Sequence, residues 1–86
     1  MSLSQEQQAQ LQAFAAKVRH YRLRNDLTQE QLAERVGINP RTEQKIEAGK
    51  VNVLLTTFLR IQKALGCGAD DLLPVAKRRG KKTKGA

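Results

Sequence analysis

Apolar residues in the first quarter of the chain recur at helical intervals. Leu11, Phe14 and Val18 are spaced three and four apart and Tyr21 extends the row, with Gln and Arg on the other face, which predicts a long first helix over residues 4–24. Ser4 and Gln7 have capping-box spacing, and Leu3 is placed to pack back onto the first turns. Those turns, Ser4 to Gln10, are Gln-rich and weakly apolar, so they are expected either to fray or to pack against a second subunit.

Asn25-Asp26 breaks the pattern. Thr28 and Gln31 repeat the capping-box spacing, and Leu32, Ala33 and Val36 supply the inward face of a second helix over about 29–36, closed by Gly37. Asn39-Pro40 joins a good N-cap to the residue best suited to the first helical position, so a third helix is predicted from Pro40 to Ala48, stopping at Gly49. Residues 50–54 read as a loop. Leu55, Phe58, Leu59, Ile61 and Leu65 mark a fourth helix ending at Gly66, although Val53-Leu54 gives it no polar cap. A short fifth helix around 69–73 is expected to place Leu72 and Leu73 on the core before Pro74, with Asp70 and Asp71 near its positive end. No strand pattern or internal repeat competes, and the expected fold class is all-α with five helices and an extended first helix.

Composition adds constraints on the partner. Phe14, Tyr21 and Phe58 are the whole Phe/Tyr/Trp complement, so the core must be mainly Leu, Ile, Val and Ala. The chain carries 16 Lys and Arg against 8 Asp and Glu, a formal charge of +8. Lys77, Arg78, Arg79, Lys81, Lys82 and Lys84 fall in the last ten residues, leaving residues 1–76 with ten cations against eight acids, a net of +2. A cationic chain suits a polyanion, but charge alone does not choose between DNA, RNA and an anionic membrane surface. The chain divides into a domain over 1–76 and a basic tail over 77–86, too poor in apolar residues to offset ordering entropy and therefore expected to be disordered. On a DNA-binding protein such a tail could follow the backbone or enter a minor groove; otherwise it is a solubilising end.

Other chemistries are poorly supported. Cys67 is the lone cysteine, so no intramolecular disulfide forms, and with His20 as the lone histidine the chain cannot build a zinc site from its own Cys and His. There is no nucleophile–base arrangement, no P-loop and no pair of carboxylates in an apolar setting, so neither an enzyme nor a cofactor is expected. Without a signal-peptide segment or a long apolar run, a soluble, cytoplasmic location with no membrane partner is the expectation.

The third helix is where composition turns into chemistry. If Ile46 points inward, then Arg41, Gln44, Lys45 and Ala48 lie outward on a 3.6-residue period, with Thr42 at the edge. Arg and Lys donate to guanine O6 and N7, and Gln pairs with adenine N6 and N7. The helix starts at Gln29 and Pro40 would turn their positive ends toward phosphates, and Lys50 and Asn52 suit backbone contact.

The segment from Arg22 through Leu73 resembles the lambda-repressor/Cro-type helix-turn-helix family, also called the xenobiotic-response-element family. The residues carrying the resemblance are R-L-R (22–24), L-T-Q-E-Q-L-A-E-R-V-G (27–37), K-I-E-A-G (45–49), F-L-R-I-Q-K-A-L-G (58–66) and A-D-D-L-L (69–73). The resemblance implies a helix-turn-helix proper at 28–49. It also implies base-facing positions at Arg41, Thr42 and Lys45 with Gln44 beside them, a Gln29 that contacts phosphate and braces the recognition helix at the helix start that Thr28 caps, and an interhelical ion pair between Arg22 and Glu47. Two departures stand out: Pro40 occupies a position where many relatives carry a base-reading Gln, and Glu43 one where relatives have Ile or Val facing the core. A lone buried carboxylate is costly, so Glu43 is expected to find a partner such as an Arg, to reach solvent, or to sit on a helix at an altered angle.

The function so implied is sequence-specific binding of double-stranded DNA at a pseudo-palindromic operator by a homodimeric transcriptional repressor of bacterial or phage origin. The fourth helix, L-L-T-T-F-L-R-I-Q-K-A-L (54–65), is also similar to HipB-type antitoxins, which repress their own operon and bind a kinase toxin, so an antitoxin with a protein toxin as partner is the alternative.

Overall fold

A computed structural model describes residues 3–74 and shows five helices: α1 (Gln5–Arg24), α2 (Gln29–Val36), α3 (Pro40–Glu47), α4 (Leu55–Leu65) and α5 (Ala69–Leu72). No strand occurs among the described residues. The basic tail at 77–86 lies outside them. The expected boundaries hold to within a residue: α1 begins one residue later, α3 ends at Glu47 with Ala48 as its cap, and α5 stops at Leu72.

The starts follow from local hydrogen bonding. Ser4 Oγ accepts from the Gln7 N–H (3.1 Å) while Gln7 Oε1 accepts from the Ser4 N–H (2.9 Å), and Thr28 and Gln31 repeat the exchange at 3.0 and 2.9 Å. Each box satisfies two groups that a helix start would leave open. Asn39 Oδ1 accepts from the Arg41 N–H (2.8 Å) ahead of α3. Leu54 gives α4 no side-chain cap, as its apolar character requires.

Packing joins the helices in two groups around one core. α1 lies against α3, α4 and α5, while α2 packs on α3 and α4. Phe14 and Val18 from α1, Leu32 and Val36 from α2, Ile46, and Phe58, Ile61 and Leu65 from α4 meet in the interior together with Leu27 and Leu72. The Phe14 and Phe58 rings are tilted by 37° with centroids 5.8 Å apart. The first turns of α1 are helical from Gln5 onward with exposed side chains, and beyond them Gln12 donates from Nε2 to the Ala48 carbonyl (3.1 Å) and ties α1 to the end of α3.

One expectation about the core needs correction. Leu73 is 36% exposed rather than packed, because α5 ends before it and only Leu72 turns inward. Leu55 (70% exposed) and Leu59 (47%) lie on the outer side of α4, one helical turn apart, away from the face carrying Phe58, Ile61 and Leu65. With Leu54 (71% exposed) they form an apolar surface that the fold itself does not cover.

Gly49 and Gly66 follow α3 and α4 with φ of +70° and +68°, but their surroundings differ. A Cβ at Gly66 meets nothing within 4 Å, whereas one at Gly49 would sit 2.6 Å from Gln12 Nε2. Gly66→Ala is therefore expected to cost only the left-handed strain, about 1–2 kcal/mol. Gly49→Ala should cost that plus the displaced Gln12 hydrogen bond, about 1 kcal/mol more. Urea denaturation in the wild-type and Gln12→Ala backgrounds checks this: the excess at position 49 should vanish when Gln12 is absent.

Candidate nucleic-acid interface

The two faces of α3 have opposite chemistry. Glu43 and Ile46 are buried on the inner side and Glu47 is half-buried, while Arg41, Thr42, Gln44, Lys45 and Ala48 are exposed on the outer side. That division follows from the helical period once Ile46 is committed to the core. Arg41, Gln44, Lys45 and Ala48 line one open concavity of about 280 Å³ together with Lys50. Among the described residues, the side chains of Arg41, Thr42, Gln44 and Lys45 make no hydrogen bond to the rest of the fold.

Not every residue singled out in the sequence joins this cluster. Thr42 is exposed but does not line the concavity. Thr28 is exposed at the start of α2, with its hydroxyl engaged by the Gln31 N–H. Asn52 is exposed but lines two other hollows, beside Leu11 and Gln10 of α1, and is not brought beside Lys50. Gln29 is half-buried and donates from Nε2 to Glu47 Oε1 (3.2 Å), so it ties the start of α2 to α3.

Beneath the outer face lies the ion pair expected between Arg22 and Glu47. Arg22 Nε donates to Glu47 Oε2 at 2.7 Å and Nη2 to Oε1 at 3.0 Å, a two-pronged pairing, while Nη1 donates to the Leu27 carbonyl at 2.8 Å. The side chains retain 11% and 2% of their exposure, so little water reaches them. Arg22 thus binds α1 to α3 and to the connection before α2. The Leu27 contact and the Gln12 clamp on Ala48 were not readable in the sequence, because side chains up to 36 positions apart leave no periodic signal, whereas the bracing of α3 by Gln29 is what the family resemblance implies.

Among the described residues Glu43 has neither the hydrogen-bonding partner nor the access to solvent expected of it. It is fully buried, does not reach solvent, and neither of its oxygens has a donor to accept from. Burial first, then the hydrogen bond and charge of Glu47, push its carboxyl up to about 9 against the pull of Arg22, so it is neutral at pH 7. Burial would also push Glu47 up, but hydrogen bonds from Arg22, Glu43 and Gln29, with the charge of Arg22, hold it below the ordinary carboxylate range. The hydrogen bond to Glu47 raises Arg22 above its ordinary value despite burial. Away from this cluster, burial and then the charge of Asp71 push the Cys67 thiol up, which disfavours a reactive thiolate.

The scaffold and site together define a helix-turn-helix module: α2 braced across α3, and α3 offering a polar, cationic face. A family model described as "Helix-turn-helix" matches residues 18–72, and the chain belongs to this family of DNA-binding transcription regulators. An uncharacterised HTH-type transcriptional regulator of Methanocaldococcus jannaschii is 36% identical over 56 residues, covering 65% of this chain and 85% of that protein. Among solved structures, the restriction-modification controller protein C.AhdI of Aeromonas hydrophila aligns with a TM-score of 0.73 at 31% identity, over 76% of this chain and 98% of that one. A hypothetical transcription factor, NHTF, from Neisseria aligns with a TM-score of 0.73 at 26% identity, over 85% and 83%.

Two outcomes follow for the buried cluster. Arg22→Met leaves two buried carboxyls without their cation and is expected to cost about 3–5 kcal/mol of stability. Glu47→Gln should cost less, because Glu43 lies within the field of Arg22 and can ionise in its place; urea denaturation at pH 7 compares the two. The second outcome concerns pH. The contribution of Glu47, held low, is present above the ordinary 4.5 and is lost as pH falls through its lowered value. That of Glu43, held high, is full below 4.5 and is lost as pH rises toward about 9. Unfolding free energy followed against pH should therefore decline from mildly acidic solution to about pH 9 and then level.

Proposed function

We propose that this protein is a dimeric, sequence-specific repressor that reads the major groove with α3. The observation carrying the reading is the outer face of α3: Arg41, Thr42, Gln44 and Lys45 are all exposed and make no side-chain hydrogen bond among the described residues, on a helix whose inner side is locked. Arg41 and Lys45 suit guanine O6 and N7, Gln44 suits an adenine edge, and Thr42 suits a thymine methyl or a polar edge. Lys50, beside them, and the start of α2 at Thr28 and Gln29 suit phosphate, with Asn52 a more distant backbone contact.

Dimerisation belongs to the same reading. One module of this size buries a small interface, and two copies spaced about one turn of duplex, ~34 Å, are the ordinary route to useful affinity. The exposed row Leu54, Leu55 and Leu59 supports a second copy as its cover, because α4 gives up a polar cap at Leu54 to present it. A cytoplasmic location fits a protein that acts on chromosomal or phage DNA.

Selection of bound duplexes from a random pool at fixed salt tests the proposal. Enrichment of a palindromic motif is the expected result, and no enrichment would sink the specific-repressor reading. On the selected duplex, Lys45→Ala is expected to lose roughly 1–3 kcal/mol of discrimination while keeping most non-specific affinity. Equal weakening on specific and random duplexes would make Lys45 a phosphate contact instead.

A further inference from the structure

Glu43 has no part in the reading just given, yet it occupies the centre of the inner side of α3. Besides Ile46 it is the only fully buried side chain on that helix. An aliphatic residue there would pack without an electrostatic penalty, so the carboxyl calls for a physical role.

The groups facing it leave few choices. From α1 comes Arg22, whose three nitrogens are engaged by Glu47 and by the Leu27 carbonyl. From α3 comes Glu47, one helical turn away and on the same side. From α2 comes only the neutral Gln29, whose amide already donates to Glu47. Each of those nitrogens is directed at another acceptor, and among the described residues no donor reaches either oxygen of Glu43. Glu47, however, accepts three hydrogen bonds where a carboxylate offers about four lone-pair sites. One acceptor site is open, and a protonated Glu43 has one O–H to fill it.

We propose that Glu43 is a positioning residue for DNA recognition: it is held as a neutral carboxylic acid whose O–H donates to Glu47, and the seating of α3 depends on that proton. With the proton in place, Glu47 is satisfied on all sides and three helices share one hydrogen-bonded cluster. Without it, two carboxylates face one another in the interior with a single guanidinium between them. The Arg22–Glu47 pair that orients this eight-residue helix is then strained by a second, uncompensated charge beside it, and α3 shifts on its seat. Only the last consequence, an effect on duplex affinity, rests on α3 being the recognition helix; the proton and the seating are properties of the fold.

Side-chain carboxyl carbons of the ¹³C-glutamate-labelled full chain, followed by NMR from pH 5 to 10.5, decide the matter alongside Glu43→Gln and Glu43→Leu. The Glu43 carbon is expected to titrate near 9, with backbone amides of α3 and the Gln29 side-chain amide moving at the same midpoint. Glu43→Gln, whose amide N–H replaces the O–H, should match the wild-type spectrum at pH 7 and lose the alkaline step. Glu43→Leu should shift the α3 amides already at pH 7 and show no step; if it does not fold, the glutamine variant carries the comparison. Wild-type affinity for the selected duplex should fall about tenfold from pH 7 to pH 10 as the competent fraction falls, and that of Glu43→Gln should not. A Glu43 carbon titrating below pH 6, or an equal alkaline loss in Glu43→Gln, overturns the proposal. If neither protein binds any duplex at any pH, the repressor reading fails, while the titration and the α3 amides still decide the seating.

Discussion

The fold depends on one buried guanidinium–carboxylate pair. Arg22 and Glu47 link α1 to α3, and the two remaining attachments, to the Leu27 carbonyl and to Gln29, bring in the connection before α2 and the start of α2 itself. Four separate pieces of chain thus converge on two side chains. Apolar packing alone would not set the angle of so short a helix, because α3 has a single fully buried apolar residue. The pair compensates by direction: two parallel hydrogen bonds fix orientation as well as distance. Its net contribution to stability is modest once desolvation is counted, and its value lies in geometry.

The two faces of α3 are under different constraints for this reason. Its inner side combines an ion pair, a neutral acid and one isoleucine, a polar arrangement kept in a nearly dry place. Its outer side carries cations and amides in water. Field lines from Arg22 end on Glu47 inside the protein, so the positive character presented outward comes from Arg41, Lys45 and Lys50.

Most of the architecture was legible in the sequence because its cues are local. The Ser4–Gln7 and Thr28–Gln31 boxes, the Asn39-Pro40 start and the closing glycines act within four residues, and each helix begins and ends within a residue of where they place it. What local cues miss is which side of an apolar stripe is covered. Leu55, Leu59 and Leu73 fit the helical pattern yet face outward, since the periodicity of a leucine-rich helix does not say where its neighbours stop. The Arg22–Glu47 pair came from family resemblance, and the structure shows it. Glu43 was recognisable as an anomaly, but its burial without any donor in reach depends on how the surrounding side chains are aimed, which no local cue carries. The outer face of α3 was expected from Ile46 and is seen, whereas Asn52 lines hollows beside α1 and not the concavity that Lys50 lines.

That the side chains of Arg41, Thr42, Gln44 and Lys45 make no hydrogen bond to the scaffold among the described residues has an evolutionary consequence. Their replacement disturbs neither the core nor the ion pair beneath, so the four positions form a cassette that can drift while the frame stands still. On the proposed reading of α3, gene duplicates built on this chain acquire new operators through a handful of codon changes, each step remaining folded. Divergence of target would then be limited by the survival of regulation in the cell, not by the survival of the protein.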